Sequence, residues 1–197
     1  MTEFPSGKFE RGKVLAKTGL KVTTNYAKFY AKHAGRRPTK ESRAELNYKN
    51  AEDIFKNFTE LRGSVLKLAQ SLSMDNGVLP QEFVEVMSQA QYRVPPMNRA
   101  LVRRQIRREL GKYPELVFSK FEDEAVAAAS IGQVHKAIGS QGKQLAVKIQ
   151  YPNVRDTIKS DLSMAKTIFS PMLKNGDLDK YIDEIRNTLL EETDYSF

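Results

Sequence analysis

A lysine interrupts the apolar run LAVKIQYP, at position 148. In an extended strand Val147 and Ile149 share one face, and Ala146, Lys148 and Gln150 share the other. Lysine is rarely buried without a partner. A nucleotide phosphate or a carboxylate would satisfy Lys148 on that face; an ordinary surface lysine on an edge strand is the plainer alternative. Shortly before it comes AAASIGQVH, which begins at Ala127. A connection between two strands can offer backbone N–H groups to phosphates when no side chain intrudes. Glycine does this best, and alanine is the next smallest residue but resists positive φ. Ala127, Ala128, Ala129 and Ser130 are therefore candidates for a tight, restricted lid, with plain packing of small residues as the other reading. A third signal lies near the end of the chain. Leu178, Tyr181, Ile182, Ile185 and Leu189 form one helical stripe, and the next position on it is Glu192. A carboxylate that continues an apolar stripe needs a cation. Lys148 is the first candidate, and a frayed helix end in water is the alternative.

These residues require elements to hold them. Residues 11–33 read as a helix with Leu15, Val22, Tyr26, Phe29 and Tyr30 near one face and Lys17, Lys21, Lys28 and Lys32 around it. Such a helix can lie on an anionic bilayer or pack on its own domain with its lysines solvated. GRRPTKES reads as a linker. One long helix is then expected, because Ala51, Ile54, Phe58, Leu61, Val65, Leu68 and Leu72 keep a 3,4 spacing. Gly63, Lys67 and Gln70 share a second, small and polar face of it, suited to a close approach by another element. DNGVLP ends that helix. Residues 80–92 read as another, closed by Val94-Pro95-Pro96. Asn98 is placed to cap RALVRRQIRREL, with Gly111 as its stop. Arg103, Arg104, Arg107 and Arg108 line its outer side, as a solvated face or a phosphate or partner patch. The period then changes: LVFSKF, SIGQVHKAI and QLAVKIQ read as strands, the last two joined by the hairpin signal GSQGK. Helices close the chain, from about Asp156 to Leu173 and, after a cap at Asp177, through the stripe that ends at Glu192.

Composition narrows the chemistry. The chain has 197 residues and no cysteine, which excludes disulfides and thiolate metal sites. Its two histidines, His33 and His135, lie far apart, so a zinc site is not expected. No apolar run is long enough to span a bilayer, and MTEFPSGKFERGK lacks a signal core, so the expected location is cytoplasmic. The net charge is +8, and residues 1–40 hold all of it, with ten Lys or Arg against Glu3 and Glu10. That asymmetry suits a segment that docks peripherally on an anionic membrane surface. Nucleic acid is not expected as a partner, since no base-reading or stacking motif accompanies the basic segment.

Taken in order, KLAQ, VAAASIGQVH, AVKIQYP and EETDY resemble the UbiB (aarF-like, ADCK-type) family of atypical protein-kinase-like proteins over roughly Phe9 to Phe197. The resemblance implies an α+β fold, a protein-kinase-like N-lobe with a small antiparallel sheet preceded by a helical N-terminal extension. It divides the chain into a basic amphipathic segment (1–40), a helical extension (41–112) and the N-lobe (113–197). Lys67 and Gln70 correspond to the family's KxGQ element, with Ala69 where the family has glycine. Ala127, Ala128, Ala129 and Ser130 correspond to the Ala-rich loop that replaces the kinase Gly-rich loop. Lys148 corresponds to the nucleotide-binding lysine, and Glu192 and Asp194 to the ExD element. Lys67 would then sit near a carboxylate, Glu192 or Asp194, and its face would restrict access to the cleft. The resemblance implies binding of ATP or ADP with Mg, an atypical kinase or ATPase activity, and a link to isoprenoid-quinone (ubiquinone) biosynthesis, its partner proteins, and a small or lipidic substrate. The catalytic-loop and metal-binding residues of a kinase C-lobe do not occur before Phe197, so this stretch alone is expected not to turn nucleotide over. A non-catalytic membrane- or partner-docking module is the alternative.

Overall fold

A computed structural model describes residues 5, 7–74, 77–88, 96–173 and 178–194. Helix α1 (Lys8–Lys32) leads, followed by α2 (Lys40–Leu61), α3 (Gly63–Met74), α4 (Gln81–Ser88), α5 (Arg99–Leu110) and the single turn α6 (Pro114–Val117). Three strands follow, β1 (Lys120–Ala128), β2 (Gly132–Ile138) and β3 (Gln144–Gln150), then α7 (Val154–Phe169), a 3-10 turn (Ser170–Met172) and α8 (Leu178–Glu192). The fold is α+β, with one antiparallel sheet in the order β1-β2-β3.

The first part of the α1 stripe is spent inside the protein, whereas Tyr26 and Phe29 are half-buried and Tyr30 is exposed. Arg11, Leu15, Thr18 and Val22 are buried, spaced i, i+4, i+7 and i+11, and this face packs on α2 and α7. Lys13, Lys17, Lys21, Lys28 and Lys32 stay exposed. Leu15 and Val22 are thus core residues and face no bilayer.

The single long helix expected from Ala51 to Leu72 is two helices. Every residue of the stripe is buried, but the chain turns at Arg62 (φ 54°) and Gly63 (φ 64°), both left-handed. The break is held from outside the helix. Arg11 donates from Nη1 to the Leu61 carbonyl (2.6 Å) and from Nη2 to that of Arg62 (3.3 Å), which supplies partners for carbonyls at the end of α2. The same guanidinium grips Asp161 of α7 through Nε (3.0 Å) and Nη2 (2.6 Å), and Ser64 Oγ donates to Asp161 at 2.7 Å. Beyond the elbow α3 is nearly enveloped, leaving Lys67, Gln70, Ser71 and Met74 as its open ridge.

Asn98 caps α5 by accepting from the Leu101 amide, and Gly111 stops it at φ 72°. LVFSKF differs from expectation. Pro114 begins a helical turn, the position where its fixed φ and missing N–H cost least, so Leu116 and Val117 are helical and β1 starts at Lys120. β3 occupies Gln144–Gln150 as expected. The face of the sheet toward α5 is partly polar. Met97 N–H donates to Gln133 Oε1 (2.6 Å), which leaves Gln133 Nε2 to donate to His135 Nε2 (2.8 Å). His135 Nδ1 therefore carries the proton and donates to the Glu122 carbonyl at 2.8 Å. His135 is a fully buried tie between β1 and β2. The proposed cap Asp177, residues 89–92 of the helix read from 80 to 92, and Val94-Pro95 lie outside the described residues.

Candidate functional site

The free edge of β3 borders a cleft of about 560 Å³. Val147, Lys148, Ile149 and Gln150 form one wall, the C-terminal half of α5 (Gln105 to Leu110) another, and Arg155, Thr193 and Asp194 close the third side. Lys148 is exposed, as its place on the polar face of the strand dictates. β2–β3 pairing sets Lys148 opposite Val134 and Gln150 opposite Gly132. The alanine connection therefore lies at the Gln150 end of β3, two residues or about 7 Å along the strand from Lys148.

The turn is shorter than AAAS. Ala127 and Ala128 are the last residues of β1, paired with Val134 and Gln133, and only Ala129, Ser130 and Ile131 form the turn. The turn is tight, with Ala129 N–H donating to the Gly132 carbonyl at 2.7 Å. Gly132 is required by a close approach of the strands: a Cβ there would lie 2.6 Å from the Ile149 carbonyl oxygen.

Glu192 does not take Lys148 as the partner the strip of sequence first offers. Helix α8 packs on α3 and α7, which brings Glu192 Oε1 within 2.7 Å of Lys67 Nζ. Both side chains remain about a third exposed, 28% for Lys67 and 32% for Glu192. A groove of about 570 Å³ runs beside the pair, between α3 and α8, bordered by Ser71, Met74, Tyr181 and Ile185. Asp194 turns the other way and lines the β3 cleft, with Oδ2 3.4 Å from Arg155 Nη1. Gln70 is half-buried on the α3 ridge, and its carbonyl accepts from Ser73 Oγ. Ala69 is fully buried, so its methyl sits in the core.

The elbow at Arg62 and Gly63 was not legible as part of this site. Gly63 N–H donates to the Ser130 carbonyl at 2.7 Å, and Tyr151 N–H donates to that of Ile131 at 3.0 Å. Burial lowers the Arg62 pKa and raises that of the Tyr151 hydroxyl, and each partly offsets the other's shift by its own proximity. Nothing local in the sequence marks Arg155 either. The α5 arginines are largely engaged within the protein: Arg103 pairs with Glu115, Arg107 donates to Tyr113 Oη, and Arg108 to Asn153 Oδ1.

The ABC1 atypical kinase-like domain matches residues 89–197. The atypical kinase COQ8, mitochondrial, of Saccharomyces cerevisiae is 38% identical over 192 residues, covering 95% of this chain and 38% of that protein. The probable serine/threonine-protein kinase abkA of Dictyostelium discoideum is 38% identical over 148 residues, 74% of this chain and 26% of that protein. A solved structure, the complex of Rv3197 with erythromycin from Mycobacterium tuberculosis, is 34% identical, covers 79% of this chain and 41% of its own, and superposes with a TM-score of 0.40. The chain thus spans between about a quarter and two-fifths of the length of these relatives. With more than half of its residues matched by the domain, the chain belongs to the ABC1 atypical kinase-like family.

Proposed function

We propose that this chain is the nucleotide-binding N-terminal part of an atypical kinase or ATPase. The observation that carries the reading is Lys148, an exposed cation on the polar face of an edge strand, in a cleft shared with Asp194 and beside the alanine turn. In this reading Lys148 holds the phosphates of ATP or ADP, and the turn Ala129–Ser130, with Ala127 and Ala128 behind it, covers them. The small side chains let the ligand approach the backbone closely. Lys67 and Glu192 form a regulatory latch beside the groove between α3 and α8, with Gln70 on the same ridge and Asp194 on the cleft wall. Mg accompanies the nucleotide in this reading, with its ligands assigned by the family resemblance to the kinase C-lobe. The link to isoprenoid-quinone biosynthesis, with a small or lipidic substrate, rests on the family resemblance.

The test is titration of a fluorescent ADP or ATP analogue into the complete protein and its Lys148→Met variant. A charge-assisted contact to phosphate predicts at least a tenfold loss of affinity, about 1.4 kcal/mol. Equal affinity would mean that Lys148 does not touch the phosphates.

A peripheral membrane role has its own support. No described helix is long and apolar enough to cross a bilayer. Opposite its buried face, however, α1 carries a second line. At 100° per residue Phe9, Ala16, Leu20 and Ala27 fall within about 20° of one direction. Phe9 is 74% and Leu20 70% exposed, with Lys13, Lys17 and Lys28 to one side. An anionic bilayer suits that face. Phe9→Glu with Leu20→Glu is expected to abolish co-sedimentation with phosphatidylglycerol vesicles; equal pelleting with neutral vesicles would remove this part of the reading.

A further inference from the structure

The alanine turn is fastened to two points outside its own hairpin. The Gly63 amide holds the Ser130 carbonyl, and the Tyr151 amide holds the next carbonyl, that of Ile131. The two fastening points are themselves joined. Arg62, the residue before Gly63, places its guanidinium carbon 5.0 Å from the centre of the Tyr151 ring. Tyr151 is fully buried and Arg62 nearly so. The contacts close a ring through Arg62, Gly63, Ser130, Ile131 and Tyr151.

The backbone explains why the ring can form. Two successive left-handed residues swing the chain out of the α2 axis, a conformation uncommon for arginine. Gly63 then begins α3, and the N–H groups of a first helical turn have no acceptor within their own helix. The Ser130 carbonyl supplies that acceptor. Strain of this kind persists only where surrounding structure holds it, and here Arg11, Asp161 and Ser64 hold the elbow from the far side. From Gly63 the rigid helix α3 leads in about one turn to Lys67 and its partner Glu192.

We infer that Arg62, Gly63 and Tyr151 are positioning residues that fix the alanine turn at the end of β3, so that the α2–α3 elbow governs how readily the β3 cleft takes up and releases a phosphate-bearing ligand. The consequence for the ligand rests on the reading of the turn as a nucleotide lid; the clamp on the turn does not.

The test uses the complete protein and three variants. Arg62→Asn keeps a residue that tolerates left-handed φ and removes the guanidinium from the ring. Tyr151→Leu removes the ring and keeps an apolar side chain; Tyr151→Phe keeps the ring. The amides of Gly63 and Tyr151 report clamp opening directly by hydrogen exchange, and the dissociation rate of a fluorescent ADP analogue reports the lid. Losing a desolvated cation–π contact predicts that Arg62→Asn and Tyr151→Leu raise exchange at both amides by about tenfold or more. Leu162, in the centre of α7, should keep its protection, and Tyr151→Phe, which keeps the ring but loses the hydroxyl beside the Arg62 guanidinium, should raise exchange less than Tyr151→Leu. Nucleotide dissociation should accelerate in the same two variants. Unchanged exchange at Gly63 and Tyr151 overturns the inference. A uniform rise that includes Leu162 overturns it as well, because the residues would then support only the global fold. Faster exchange with unaltered nucleotide dissociation keeps the clamp and refutes the lid reading, as does a failure of the unaltered protein to bind nucleotide.

Discussion

The buried pair of Arg11 and Asp161 is the sharpest place to perturb this fold. Their side chains are 4% and 2% exposed. Arg11 makes contacts with Asp161, the Leu61 and Arg62 carbonyls and the Pro5 carbonyl. Arg11→Met keeps most of the side-chain volume and removes every donor. Asp161 then retains the Ser64 hydroxyl as a hydrogen-bond donor, in a site almost closed to solvent. Removing one partner of a buried ion pair costs about 3–5 kcal/mol, a large share of the roughly 5–15 kcal/mol that holds an ordinary domain. Arg11→Met with Asp161→Leu removes both charges at once. The double variant should therefore be more stable than Arg11→Met alone, even though Leu61 and Arg62 lose their donor. The coupling expected from urea unfolding followed by circular dichroism is at least about 2 kcal/mol, at unchanged m-value. Costs that add within about 0.5 kcal/mol would mean that the pair does not act as a unit, and the account of the elbow would fail with it.

Other expectations differ in size for stated reasons. Lys67→Met or Glu192→Gln should lower stability by less than about 1 kcal/mol, and the loss should fade in high salt, because the pair is a third exposed; thermal denaturation at two salt concentrations checks this. Gly132→Ala should cost about 1–3 kcal/mol in chemical denaturation, since its methyl would press on the Ile149 carbonyl across the pair of strands. Burial raises the pKa of both Tyr26 and Tyr151 above the ordinary tyrosine value of 10.0. The folded state then holds these protons longer than the unfolded one, so their contribution is intact below about pH 10 and is lost as pH rises through their folded values; phenolate absorbance and stability measured together between about pH 9 and 12 would show it.

Periodicity made the helix faces readable, and it also hid the elbow. The stripe from Ala51 to Leu72 runs through Arg62 and Gly63 without losing phase, and every member is buried. A lone glycine in a helical pattern is tolerated at about 1 kcal/mol, so nothing local marks the break. What decides it comes from Arg11 and Ser130, far away in sequence. Asp161, among Ile158, Leu162 and Ala165 of α7, is like Glu192 a carboxylate on an apolar stripe, so one half of the buried pair carries a mark in the sequence. Its partner had no such mark, because an arginine in a basic helix resembles a solvated one. LVFSKF misled through its β-forming residues, while Pro114 carried the contrary signal. Lys148 was legible because strand alternation fixes its face from three neighbours alone.

Glu192 is the last residue of α8 and Asp194 lies just past it, where its amide closes a tighter turn on the Glu191 carbonyl, so the two side chains leave the helix end in different directions. One carboxylate therefore reaches Lys67 on α3 while the other faces Arg155 at the start of α7. The end of α8 thus joins the helical extension to the cleft wall through two partly exposed ion pairs, each worth on the order of 1 kcal/mol or less. The elbow that holds the alanine turn is built from buried groups whose removal costs several times as much. If one side of the cleft yields when a ligand enters, this energetic contrast assigns the movement to the end of α8 and leaves the turn fixed. Protection from hydrogen exchange should accordingly be lower at Thr193 and Asp194 than at Gly63 and Tyr151, although Thr193 is buried and its amide is bonded to the Leu189 carbonyl. The reverse order would place the compliant element at the turn.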